Sequence, residues 1–256
     1  MTSAIARRLW RWSRDQCARI VISRPGLTRA IVRRAGSPSL FELSESARSW
    51  HTSATHLLAE LPIVSGEWDS LTRAAEAAVQ SICERSEELS LEYPAHFAVE
   101  RQTAALLYVA VRITCPKIVV ETGVADGLSS AVILEALAAN GEGELHSIDI
   151  AKSVGSLIRD KAAWHLHVVS EDTLGEDLDC IAKAVPPIDL FLHDANHDYH
   201  HQMLEYKTFW RVMRPGGLFL SDDIDLSYAF LDFVQEVDRV PAMLLDSRKV
   251  IGVITR

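Results

Sequence analysis

From Lys117 to the last residue, short β-branched apolar runs alternate with stretches of helical period, and this alternation limits the fold more than any other feature of the chain. The runs KIVVET, ELHSIDI, LHVVS, IDLFLHDA and GLFLSDD are each followed by a helical stretch, at 128–139, 153–163, 174–184, 200–213 and 227–239. Strands separated by helices cannot pair as hairpins, so the pattern predicts crossovers and an α/β, Rossmann-like, mostly parallel sheet. The end breaks the pattern. AMLLDS and KVIGVITR are separated only by a short polar turn at Ser247-Arg248, which predicts a terminal hairpin and one antiparallel strand.

Upstream, a helix is expected to about Ile113, and residues 41 to 92 read as helical, closed by Tyr93-Pro94. The expected division is a basic arm over 1–40, a helical extension or lid over 41–95 and the α/β domain over 96–256. The formal charge of -9 conceals an asymmetry, because residues 1–40 carry nine arginines against Asp15 alone. An acidic body argues against nucleic acid as the partner, since phosphate contacts need a basic surface on the folded domain. The arm, with Trp10 and Trp12 among its arginines, is compatible with a solvated or self-associating extension, a membrane-surface or protein contact, or a targeting segment. No apolar run approaches the ~20 residues that span a bilayer, and Cys17, Cys83, Cys115 and Cys180 lie too far apart for a CxxC pair, so reduced thiols in a cytoplasmic protein are expected.

The candidate binding site starts at ETGVADGLSS, where the first long strand passes through Gly123 and Gly127 into a helix. Glycines there allow close approach of a ligand to the backbone, and the helix supplies free N–H donors. The G-x-G-x-x-G dinucleotide fingerprint is absent, and Glu121 would repel a pyrophosphate. A cationic ligand reverses that argument: S-adenosylmethionine carries an ammonium and a sulfonium and no phosphate, and Glu121 favours it directly or through water. Thr122 and Ser129 flank the turn. Asp149 ends the next strand, 28 residues after Glu121, and is expected to accept hydrogen bonds from both ribose hydroxyls; Ser170, Glu171 and Asp172 follow the third strand, toward the adenine.

In this order, ETGVADGLSS, IDI, FLHDANHDY and RPGGLFLSDDI resemble the class I S-adenosylmethionine-dependent methyltransferases, and within them the group of macrocin O-methyltransferase and cephalosporin hydroxylase type. The resemblance covers about Tyr93 to Arg256. It implies a seven-stranded sheet ending in a hairpin, and methyl transfer from S-adenosylmethionine to a small-molecule hydroxyl.

Asp194 ends the fourth strand of the pattern and Asp222 and Asp223 end the fifth, so three carboxylates converge and require a cation or a proton between them. An oxygen-rich cage suits Mg²⁺ or Ca²⁺. The resemblance, through its D-G-D-H and D-D positions, implies a divalent ion, with Mg²⁺ foremost, on Asp194, Asp222 and Asp223. Asn196 stands where the pattern has its second aspartate, which leaves His197 or Asp198 as the base, or the metal alone as the acidifying group. His197 and Asp194 are the expected catalytic pair. His200 and His201 are expected to open the next helix in neutral polar roles, Tyr93, His96 and Glu100 to begin the helix that covers the cofactor, and Phe97 to pack in the core. Two other functions fit the same residues: a binding protein for S-adenosylmethionine without transferase activity, and, against Glu121, a nicotinamide oxidoreductase. The acceptor and the oligomeric state, homo-oligomer included, are open at this level.

Overall fold

The computed structural model describes residues 33–60 and 68–256, beginning with α1 (Leu40–Ser46), β1 (Ser49–His51), α2 (Ala54–Glu60) and α3 (Trp68–Glu88). Next come α4 (Arg101–Thr114), β2 (Ile118–Thr122), α5 (Leu128–Asn140), β3 (Glu144–Asp149), β4 (Trp164–Val168) and α6 (Leu174–Ala184). The chain ends with β5 (Ile188–His193), α7 (Tyr199–Val212), β6 (Met213–Ser221), α8 (Ala229–Glu236), β7 (Ala242–Leu245) and β8 (Val250–Thr255). The amphipathic stretch expected over 4–22, with Trp10 and Trp12, lies outside the described residues.

The strands form one sheet in the order β1-β7-β8-β6-β5-β2-β3-β4, in which β8 runs against both of its neighbours. The parallel sheet and its terminal hairpin are therefore present as the pattern demanded. An eighth strand is added to the seven, because Ser49–His51 pairs in parallel with Ala242–Leu244. That corrects the all-helical reading of residues 41–92: the free edge of β7 captures Trp50 and its neighbours, a tertiary pairing that local propensity does not report.

β2 is buried along its whole length, as expected for a central strand with helices on both faces. Alternate residues feed opposite cores. Val119, with Leu145 and Leu190, meets Ile82, Leu106 and Ile133 from α3, α4 and α5. Val120, with Phe191 and Phe219, meets Tyr206, Phe209 and Phe233 from α7 and α8. Truncation of one such buried phenylalanine to alanine costs about 3–5 kcal/mol. Because α3 shares the first core, the helical extension and the α/β unit are packed together. Among the described residues no helix is long and apolar enough to cross a membrane.

Three further expectations are corrected. Residues 153–163 form turns, since the N–H groups of Gly155 and Leu157 donate to Ala125 and Asp126 of the glycine turn (2.8 and 2.9 Å) instead of to each other. The helix expected to start with Tyr93, His96 and Glu100 starts at Arg101, preceded by a single 3₁₀ turn over Ala95–Phe97. Phe97 is 51% exposed and is not a core residue.

Candidate active site at the carboxyl edge of the sheet

The turn after β2 is held by backbone geometry that only glycine fits. Gly123 has φ +82°, and a Cβ on it would stand 1.9 Å from the carbonyl oxygen of Asp194. The glycine turn and the end of β5 are thus in direct backbone contact. Asp149, at the end of β3, accepts from the Val124 N–H at 2.9 Å through one oxygen and from the Ala151 N–H at 2.8 Å through the other. It fixes the turn and remains part-exposed beside it.

Asp126, a residue the sequence reading passed over, ties a third segment to this turn. Its carboxylate accepts from the N–H groups of Glu92 (3.1 Å) and Tyr93 (3.0 Å) and from the Ser156 hydroxyl (2.8 Å). The result is a cleft lined by Tyr93, Phe97, Val124, Gly127, Ser129 and Asp194. Tyr93, Phe97 and Glu100 line its outer wall, and Glu100 is clasped to Arg248 of the β7–β8 turn at 2.7 Å.

Two residues expected to face the ligand point elsewhere. Glu121 is wholly buried and accepts from the hydroxyls of Ser130, Ser147 (2.6 Å) and Ser129 (3.2 Å), so it makes no direct contact with anything in the cleft. Burial raises its carboxyl to about 7 against the three serine donors. Thr122 turns to the other face and donates to Glu205 at 2.6 Å. Glu205 also meets His193 at 2.7 Å and His201 at 2.9 Å, and despite its burial these partners hold its carboxyl at about 2. His201 lies in the first turn of α7 as expected, and against its burial Glu205 raises its basicity. Ser170 caps the 3₁₀ turn after β4 by accepting from the Asp172 N–H at 3.3 Å, and both lie on the same edge of the sheet as Asp149, outside the residues that line the cleft.

Where β5 and β6 end side by side, Asp194, Asp222 and Asp223 do converge, and a cation stands among them that the motif reading missed. The Lys249 ammonium lies 3.1 Å from Asp222 Oδ2 and 2.9 Å from Asp223 Oδ2, with all three side chains buried or nearly so. Its position follows from topology: β8 runs antiparallel to β6, with Gly252 opposite Ser221, so the residue that precedes β8 meets the residues that follow β6. Asp223 has φ +52°, a left-handed backbone that costs a non-glycine residue roughly 1–2 kcal/mol. Burial and the neighbouring Asp222 raise the Asp194 carboxyl well above the carboxylate range, and burial raises Asp222 to about 6.

One donor atom each from Asp194, His197 and Asp223 lie within 4.8 Å of one another. This set fits a divalent ion, but it is not the set of three aspartates. Asp222 gives one oxygen to Lys249, and its Oδ1 is buried with no partner among the described residues. His197 holds Asp223 through Nε2 at 3.2 Å, while its Nδ1 has no partner among the described residues. Asn196 is exposed and its carboxamide oxygen accepts from the Asp198 N–H at 2.9 Å; Asp198 in turn caps α7. Both are turn residues outside the acid cluster.

The Rossmann-like fold, with an added edge strand, is that of solved methyltransferases. Residues 120–224, from β2 through the acid pair after β6, match the family model described as a methyltransferase domain. No curated protein sequence matches the chain. Among solved structures, the O-methyltransferase of Bacillus cereus in complex with SAH is similar at 11% identity and TM-score 0.53, covering 84% of this chain and 100% of its own. The SAH-bound methyltransferase of Podospora anserina is similar at 14% identity and TM-score 0.52, covering 77% and 98%. A methyltransferase from Geobacter sulfurreducens is similar at 17% identity and TM-score 0.50, covering 77% and 99%.

Proposed function

We propose that the chain transfers the methyl group of S-adenosylmethionine to a hydroxyl of a small molecule, a sugar or natural-product acceptor, bound at the acid cluster. The observation that carries this reading is the backbone contact between Gly123 and Asp194, which makes the glycine turn and the acid cluster two halves of one cleft. A sulfonium over the turn and a hydroxyl at Asp194 would be neighbours, and orientation of that kind supplies much of the rate in a displacement reaction. Asp149 would hold the ribose through the lone pairs its two backbone contacts leave free.

The reaction moves a methyl cation from sulfur to oxygen, so the acceptor must lose its proton. Asp223 takes the Nε2–H of His197, which leaves the unpartnered Nδ1 lone pair as the base. Alternatively, a divalent ion would be held by Asp194, His197 and Asp223; His197 would then be a ligand and not the base, and the ion when bound would acidify the acceptor hydroxyl. Lys249 favours a second reading. Its ammonium already supplies a fixed positive charge to Asp222 and Asp223, and such a charge stabilises a developing alkoxide without a metal.

The test is incubation of the full chain with labelled S-adenosylmethionine and a metabolite extract, with and without chelator, followed by mass detection of products heavier by one methylene. Methylated product abolished by chelator supports the metal reading, and product indifferent to chelator supports Lys249. Binding of S-adenosylmethionine with no product from any extract supports a binding protein. Preference for a nicotinamide cofactor in calorimetry would overturn the proposal.

A further inference from the structure

Far from the cleft, at the amino-terminal half of the two strands on the β4 edge, a second group of potential ligands is gathered. Glu144 and His146 alternate along β3, and His165 and His167 alternate along β4, with His146 directly opposite His165 in register. Period-two alternation puts all four on one face. The His146 ring stacks on His165 and His167, with centroids 4.7 and 5.3 Å away.

From this arrangement we infer a binding site for a zinc-type divalent transition-metal ion on Glu144, His146 and His165. Glu144 Oε2 stands 3.3 Å from His165 Nε2 and 3.7 Å from His146 Nε2, and the three donor atoms all lie within 4.8 Å of one another. Tetrahedral zinc with bonds of about 2.0–2.1 Å sets its donors roughly 3.3–3.5 Å apart, and because an imidazole lone pair lies in its ring plane, the half-exposed His165 ring must turn out of its stack on His146 to complete the triangle. Two imidazoles and a carboxylate are a zinc-type donor set, whereas magnesium and calcium prefer oxygen alone.

The most informative atom is Nε2 of His146. It is buried and has no hydrogen-bond partner among the described residues, an arrangement that leaves a polar group unsatisfied. Nδ1 of the same ring lies 3.0 Å from Nε2 of His167. If His146 donates there, its Nε2 carries a lone pair aimed toward Glu144 and His165. A ligating histidine commonly has its other nitrogen held in this way, which fixes tautomer and ring orientation. His167 is then a positioning residue. Glu144 and His165 are half-exposed, so the fourth position would be open to water. Bound there, the ion would pin the edge strand β4 to β3.

The test uses the full chain stripped by chelator and titrated with Zn²⁺ by calorimetry and with Co²⁺ by its visible ligand-field absorption. Binding of Zn²⁺ with a tetrahedral cobalt spectrum and a higher unfolding temperature is expected, and it should persist in the doubly substituted Asp223→Asn, His197→Ala chain, which removes the other ligand group. His165→Gln and Glu144→Gln alter half-exposed side chains and should fold normally, and each should weaken binding at least tenfold. His167→Ala should weaken it about 10–100-fold. The inference is overturned if the chain takes up no zinc, or if uptake is lost in the Asp223→Asn, His197→Ala chain and unchanged by His165→Gln and Glu144→Gln. None of these outcomes depends on methyl transfer.

Discussion

The ammonium of Lys249 stands 2.9 Å from Oδ2 of Asp223 and holds Asp222 on its other side. Two adjacent buried carboxylates are tolerable there because a cation lies between them. Lys249→Met should therefore destabilise the fold by about 3–5 kcal/mol at neutral pH, because it leaves uncompensated buried charge. Adding Asp222→Asn should recover most of the loss. Urea unfolding of the single and double variants checks this, and a single variant as stable as the wild type would show that the ammonium is not what holds the acids.

Asp149 joins the glycine turn to the segment after β3 through Val124 and Ala151. Asp149→Ala should weaken S-adenosylmethionine binding by about 1.5–3 kcal/mol, from charge-assisted bonds to the ribose and from loosening of the turn. Isothermal calorimetry on a variant whose unfolding transition is intact measures it. An unchanged dissociation constant would remove Asp149 from the proposed site.

Two glycines with similar φ should respond very differently to alanine. At Gly123 a Cβ meets the Asp194 carbonyl at 1.9 Å, whereas at Gly141, φ +78°, it meets nothing within 4 Å. Gly141→Ala should cost on the order of 1 kcal/mol from backbone strain alone. Gly123→Ala must push β2 and β5 apart at their ends, so cofactor binding should disappear even where the protein folds. Thermal unfolding and calorimetry on the pair separate the two effects.

The parallel sheet and its hairpin were legible from the order of strands, helices and turns, and the meeting of Asp194 with Asp222 and Asp223 from acids that end two successive strands of a parallel sheet. What escaped depends on contacts that no such local pattern marks. Lys249 reads as one charge opening a strand until the antiparallel register of β8 on β6 is applied, and that hairpin was itself predicted, so the signal was present. Glu121 was assigned to the ligand because it ends a strand; the serines that enclose it come from α5 and β3. Ser129 and Ser130 lie eight and nine residues on, where the crossover helix returns over the strand. Strand Ser49–His51 had no local signal, since three residues cannot show a period.

Buried Glu205 and Glu121 should give stability opposite pH dependences. Glu205 is lowered from 4.5 to about 2, so its contribution is complete above pH 4.5 and is lost as pH falls toward 2. Glu121 is raised from 4.5 to about 7, so stability should decline as pH rises across that window, while the unfolded chain ionises first. Each shift corresponds to roughly 3 kcal/mol. Glu205→Gln should flatten the acid limb of a stability–pH curve and Glu121→Gln the limb between pH 4.5 and 7. Denaturation midpoints across pH 3 to 8 test both.

The base is the point at which sequence and structure part most usefully. Asn196 looks in the motif like a lost carboxylate, which would make Asn196→Asp a gain of function. In the fold its side chain caps a turn through the Asp198 N–H and lies outside the acid cluster, so Asn196→Asp should leave turnover within about twofold of wild type. His197 is the residue that reaches the cluster, holding Asp223 through Nε2 and leaving Nδ1 free. His197→Ala should lower kcat on the order of 10²–10³-fold, a general-base effect, while S-adenosylmethionine still binds. If His197 served only to orient Asp223, His197→Asn, which can still donate to that carboxylate, would restore most of the rate. Restoration by asparagine would move the base away from His197; continued loss in both variants, with S-adenosylmethionine binding intact, places proton removal at its Nδ1.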